Sequence, residues 1–249
     1  MKKWCLFLSI YMMACLMAAC GAGVPEKEAG SIPASNTPEV IRCRVIQAEE
    51  DGTLLLAETE GSGVYTLSWE DAQAQSGDII EIGYGGDVME SYPAQLGGVT
   101  WVEVLEEGRD TLCGLYLQVL EDLWETDSGL NSGISIIGMD LSQTSLSESE
   151  RSAVAWAFAS RHEAELVEGT WQALCDQGYI DGENLYWEDG CHFSITETPM
   201  EGTYSLQTVQ FTAEKWRSGL GAYWFGDCTS VQAQNGEWGE YQVGVHVIS

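Results

Sequence analysis

Three groups of residues have types and spacings that bear on chemistry. In the first, Cys191-His192 follows Glu188-Asp189 directly, with His246 further along the chain. A cysteine nucleophile needs a base within hydrogen-bond reach, usually brought from a distant segment. Neighbouring residues on a strand point to opposite faces, so His192 is badly placed to serve Cys191. The pair reads as ordinary strand residues in preference to a nucleophile or, with His246, a metal site. Glu188 and Asp189 are likewise poor partners for each other, because glycosidase carboxylates face one another across a cleft at about 5–9.5 Å. His162, at a helix end, reads as a partner of the helix dipole.

The second group is acidic. Glu125, Asp127 and Asn131 alternate around Gly129, and residues 181–184 read Asp-Gly-Glu-Asn. Neither fits the twelve-residue calcium loop with its closing glutamate, so a solvated acidic face is the preferred reading. In the third group, Lys215, Trp216 and Arg217 stand beside Tyr223-Trp224-Phe225 and near Trp238. Arginine offers planar, bidentate recognition of an anion, and tryptophan a flat surface for stacking. The candidate ligand-binding residues are therefore Trp216, Arg217 and Trp224. Alternation puts Trp216 and Arg217 on opposite faces, so at most one of them shares a face with the site. The competing reading is a core with a salt-bridged rim.

The sequence contains no GxSxG, HExxH, SxxK, Walker A or GxGxxG segment, and we expect no cofactor and no metal. No CxxC occurs, which argues against zinc ribbons and thioredoxin-like redox sites. Beyond residue 20 the cysteines are Cys43, Cys113, Cys175, Cys191 and Cys228. Buried free thiols are favoured, with a bridge among Cys175, Cys191 and Cys228 as the alternative.

The elements that position these groups sit in a chain of 249 residues with 39 acidic and 10 basic side chains, a formal charge of −29. Such a surface repels a phosphate backbone, so nucleic acid is excluded as a partner. With 45% apolar residues the chain has material for a sizeable core. Its start reads as an address. Lys2 and Lys3 precede an apolar stretch over residues 4–17, the length of a signal-peptide core and short for a bilayer span. The stretch runs into Leu16-Met17-Ala18-Ala19-Cys20-Gly21, which resembles the lipobox of bacterial lipoproteins, with Met17 where leucine is usual. That resemblance implies a leader over residues 1–19 and lipidation at Cys20, with stable anchoring to a membrane. Residues 20–38, rich in Gly, Ala, Pro and Ser, read as a flexible tether.

From residue 39 to 107 the pattern has a period of two. Ile41, Cys43 and Val45, residues 53–57, then Tyr65, Leu67 and Trp69, then Ile80, Ile82 and Tyr84, and residues 99–105 give five short strands between glycine-rich turns. A small closed barrel removes the exposed edges of so short a sheet, and an OB-like barrel is expected. The segments GTLLLA, VYTLS and GDIIEIGYGGDVMESYPAQL resemble the small OB-like domains of uncharacterised Gram-positive lipoproteins. The resemblance implies a fold and an address, and no catalytic residue.

A second domain is expected over residues 111–249. Leu112, Leu115, Tyr116, Val119, Leu120, Leu123 and Trp124 recur at helical spacing, and Ser147 with Glu150 has the spacing of a capping box. Residues 134–141 form a strand-like run, and Thr170 reads as the cap of a shorter helix ending at Gly178. Residues 184–188 and 191–196 around Asp189-Gly190, then 206–216, 222–234 and 237–247, read as strands, so helices should pack on an antiparallel sheet. The whole is an α+β protein: a small OB-like barrel followed by an α+β domain. LSESERSAVAWAFASRH, WEDGCHFSITE and FTAEKWRSGLGAYWFGDCTSV also resemble a region of lipoproteins from anaerobic gut Gram-positives, again without an implied activity.

Two functional expectations follow. The first is an extracytoplasmic lipoprotein, held on the outer face of the cell membrane by lipid, that binds an envelope glycan or a surface protein without catalysis. The alternative is an extracellular hydrolase of cell-wall or carbohydrate material that works through acidic residues.

Overall fold

The computed structural model describes residues 38–69, 73–199 and 207–249. The expected leader, the expected lipidation site Cys20 and the expected tether up to residue 37 lie outside the described residues. The first sheet is built from β1 (Glu39–Ala48), β2 (Thr53–Glu58), β3 (Val64–Ser68), β4 (Ile79–Tyr84), β5 (Val88–Met89), β6 (Ala94–Leu96) and β7 (Val99–Leu105). Alternation along β1 turns Ile41, Cys43 and Val45 to one side, where they pack with Leu54, Leu56, Ile80 and Ile82. Ile46, of the opposite parity, turns to the other side, where the pairing with β2 shifts register between Val45 and Gln47.

The strand order is β5-β6-β3-β2-β1-β4-β7, with β3 and β6 parallel. In a flat sheet β6 and β7 would stand five strand spacings apart, roughly 24 Å. Only Gly97 and Gly98 connect them, a link that reaches about 10 Å at full extension. The sheet therefore curls. Gly85 and Gly86 donate to the carbonyls of Gly98 and Gly97 at 3.1 and 2.9 Å and fasten the link. A Cβ on Gly86 would fall 2.5 Å from the Gly97 carbonyl carbon, so this approach requires glycine.

The second part contains α1 (Leu112–Glu125), β8 (Ile136–Gln143), α2 (Glu148–Arg161), β9 (Glu165–Glu168), α3 (Trp171–Asp176), β10 (Gly190–Glu197), β11 (Thr208–Ser218), β12 (Gly221–Val231) and β13 (Val245–Ile248). The apolar stripe of α1 is buried as its spacing predicts. The capping box of α2 is present: Glu150 N–H donates to Ser147 Oγ, and Ser147 N–H donates to the Glu150 carboxylate at 2.8 Å. Thr170 caps α3 by accepting from Ala173 N–H at 3.1 Å.

The strand order here is β13-β12-β11-β10-β8-β9. The pairs β8–β10 and β8–β9 are parallel, so the sheet is mixed where an antiparallel one was expected. The physical reason is α2, a crossover helix that returns the chain so that β9 runs alongside β8. Two further expectations change. Residues 184–188 form no strand. Instead Asp181 accepts from the N–H groups of Glu183 and Asn184 at 3.1 and 3.0 Å and closes a turn on Tyr186. Residues 237–247 form only isolated bridges at Trp238 and Gln242 before β13. Both sheets are mixed and the class is α+β.

Residues 37–249 make one compact unit. Ile46, Leu55, Ala57 and Val64 of the first sheet join the core that α1 and α2 form on the second sheet. The apolar run Leu54-Leu55-Leu56 is thus buried on both faces of β2. Among the described residues no helix is long and apolar enough to cross a membrane.

Candidate ligand-binding face

One face of the second sheet lies under α1 and α2. Among the described residues the opposite face is met near one end by α3 and the 179–187 loop. There Trp171 stands edge-on to Trp216, with centroids 5.6 Å apart and planes at 90°. Leu174 and Trp187 press on Gly138, where an added Cβ would lie 2.8 Å from both side chains. Strand pairing sets Gly138, His192, Trp216 and Ala222 in one row beneath this cover.

The next row reads Asp140, Ser194, Glu214, Trp224 and Val247, contributed by β8, β10, β11, β12 and β13. All five share the face of Trp216: the first four lie two residues from the covered row, and Val247 pairs with Trp224. Asp140, Ser194, Glu214 and Trp224 are half-buried, and Val247 is exposed. Burial pushes the Glu214 carboxyl above the usual carboxylate range, and a hydrogen bond from the Trp224 side chain opposes that rise. Asp140 accepts from Ser142 N–H at 2.9 Å. This row carries two carboxylates, a hydroxyl and an indole on one side of a rigid sheet.

The three candidate residues separate. Trp224 stands in the open row, and Trp216 lies one row away with only 9% of its surface exposed. Arg217 is turned from both. Its guanidinium donates to the carbonyls of Leu130, Ser132 and Glu188 at 2.8, 2.6 and 2.7 Å, which ties two loops together. Lys215 lies on the α1 face, fully buried. Its ammonium donates to the carbonyls of Leu123, Trp124, Thr126 and Asp127 at 3.3, 3.1, 2.8 and 3.2 Å. The Glu125–Asn131 loop, considered for calcium, thus turns its carbonyls onto an internal cation. The α1 C-terminus gains the positive partner that its own acidic side chains do not provide.

Cys191 and His192 point to opposite faces, as alternation predicts. The Cys191 thiol is pushed up to about 12 by burial and donates to the Trp216 carbonyl at 3.4 Å. His192 lies under α3 with Nε2 3.2 Å from the Gly169 carbonyl, and burial lowers its pKa. His246 pairs with the Tyr223 hydroxyl at 3.2 Å. His162 caps α2, stacks on Trp124 with centroids 3.7 Å apart and meets Glu121 at 3.0 Å. Cys43, Cys113, Cys175, Cys191 and Cys228 are all unbridged.

Sequence reasoning passed over Asp140, Ser194 and Glu214. The available signal was the alternation in β11, where Thr212, Glu214 and Trp216 share one parity against Phe211, Ala213 and Lys215. What joins them to Asp140 is the parallel pairing of β8 with β10, which no local pattern announces. Compared with known proteins, the chain matches no family model, no curated protein and no solved structure.

Proposed function

We propose that the chain is the folded part of a membrane-anchored, extracytoplasmic lipoprotein that binds an envelope glycan through the Trp224 face. The basic–apolar–Ala18-Ala19-Cys20 order supports the address. The observation that carries the binding reading is the row Asp140–Ser194–Glu214–Trp224, set on adjoining strands away from the α1–α2 core. An indole stacks on a sugar ring, and flanking carboxylates and a hydroxyl accept from or donate to its hydroxyls. The first sheet supports an OB-like reading: β1 pairs with both β2 and β4, and the 94–105 segment pairs with β3 at one end and β4 at the other. We read this sheet as the spacer that holds the binding face off the membrane.

The test is calorimetric titration of the full-length chain in detergent with soluble peptidoglycan fragments. Saturable binding should weaken at least tenfold in Trp224→Ala. Absence of heat with the wild-type chain would remove this reading. One observation favours a hydrolase as the second reading. Asp140 and Glu214 flank Ser194, so their Cα atoms stand about 10 Å apart across two strand spacings. Burial favours the protonated form of Glu214, the state a general acid requires. Release of reducing ends during the titration, abolished by Glu214→Gln, would identify that activity.

A further inference from the structure

A second feature lies away from the Trp224 face. Strand β9 closes one end of the second sheet and, among the described residues, has no strand on its outer side. Glu165 N–H donates inward to Ser135 and Gly169 N–H to Met139, at 2.8 and 2.9 Å. Alternation therefore turns the N–H and C=O groups of Leu166 and Glu168 outward. Beside this edge runs a groove of about 600 Å³ lined by Tyr92, Trp156, Glu163, Leu166 and Glu168. Trp156 and Leu166 are half-buried, and Tyr92 is 56% exposed. Ser152 Oγ donates to Glu168 Oε2 at 3.1 Å, which ties β9 to α2 along that wall. Glu163 and Glu168 make the groove lining acidic, and Glu165 adds a carboxylate on the other face of the strand. Arg151 is the cation near Glu168, while Arg161 is paired to Glu121 at 3.0 Å.

We propose that this edge and groove dock an extended, lysine- or arginine-bearing peptide segment of a partner protein by strand addition. The segment's backbone pairs with Leu166 and Glu168, in the manner of peptides that extend a sheet. One long cationic side chain lays its methylenes on Trp156 and sets its charge between Glu163 and Glu168. Charge complementarity selects the occupant: an acidic segment would place like charges against three glutamates. Charged side chains on an edge strand also serve to prevent pairing between copies. That role explains Glu165 and leaves the aromatic groove unexplained.

The test uses the full-length chain in detergent and two synthetic hexapeptides of alternating polar and valine residues, one with lysines and one with glutamates. With the lysine peptide, amide exchange at Leu166 and Glu168 should slow at least tenfold, and the same amide resonances should shift. The affinity should fall about tenfold in Trp156→Ala and in Glu168→Gln, and stay unchanged in Trp224→Ala. Equal binding of the glutamate peptide, or no protection of the two amides, would overturn the proposal. Butylamine is the control for a simple cation pocket. If it binds as tightly as the peptide, strand addition is refuted.

Discussion

The Arg44 guanidinium meets the Glu150 carboxylate at 2.6 Å, although the two residues lie 106 positions apart. Arg44 belongs to β1, between β2 and β4 in the first sheet, and Glu150 to the capping box of α2. The same guanidinium donates to the carbonyls of Gly77 and Gly108 at 3.0 and 2.9 Å. Close by, Ser149 Oγ donates to the Glu58 carbonyl at 2.7 Å from a fully buried position. Two polar contacts thus stitch the first sheet to α2 beside the apolar seam made by Ile46, Leu55 and Val64.

Replacing Arg44 by methionine should therefore destabilise the protein by about 2 kcal/mol, since it removes a charged donor from a partly buried carboxylate and two carbonyls. Urea unfolding measures this, and the transition should remain single because the core is shared. Two separated transitions in the wild-type chain would contradict the shared core. By the same reasoning a fragment of residues 39–107 would expose Ile46, Leu55 and Val64 and should melt without cooperativity.

The period-two and helical patterns were legible where one face alone is buried. Ile41, Cys43 and Val45 alternate because the other side of β1 is largely solvated, and α1 presents one stripe. The capping box at Ser147 was legible because it is a local hydrogen-bond device. Leu54-Leu55-Leu56 was harder, since a strand buried twice loses its alternation and with it the sign of which core it serves. Strand β9 is four residues long and owes its place to α2. The Lys215 cage escaped sequence reading altogether: four carbonyls carry no side-chain signature.

Lys215→Met should cost about 3 kcal/mol, more than its loss of charge on a surface would, because the carbonyls at the end of α1 lose a charge-assisted donor without gaining water. Thermal unfolding at neutral pH measures the loss. Millimolar calcium should leave the wild-type melting temperature unchanged, since the loop carbonyls are already engaged. A rise of several degrees on calcium addition would show that the acidic side chains of this loop hold a cation after all.

Lipidation is tested in cells. On the proposed lipoprotein reading, Cys20→Ala should leave the precursor unprocessed or release the protein from the membrane fraction, because the anchoring would rest on acyl chains at Cys20. A variant that fractionates and migrates like wild type would rule out Cys20 as the anchor.

Acid should weaken the fold through His192. This residue is buried beneath α3, and desolvation lowers its pKa from 6.5, while the Gly169 carbonyl and Asp140 pull the other way. A base with a depressed folded pKa contributes its full stability above the unfolded value, where both states are neutral. As pH falls through 6.5, the unfolded chain binds a proton that the folded chain refuses, and stability drops until the folded pKa is reached. Glu214 and Glu168 act in the opposite sense, because burial raises their pKa and acid relieves the cost of their charge. The contribution of His192 is therefore isolated by comparison with His192→Gln, which keeps a donor for Gly169. Between about pH 7.5 and about pH 5, the stability of wild type relative to this variant should decline. Urea midpoints at four pH values measure it. Parallel curves for the two proteins would mean that His192 titrates in the folded state as freely as it does in the unfolded chain, and that water reaches the ring beneath α3.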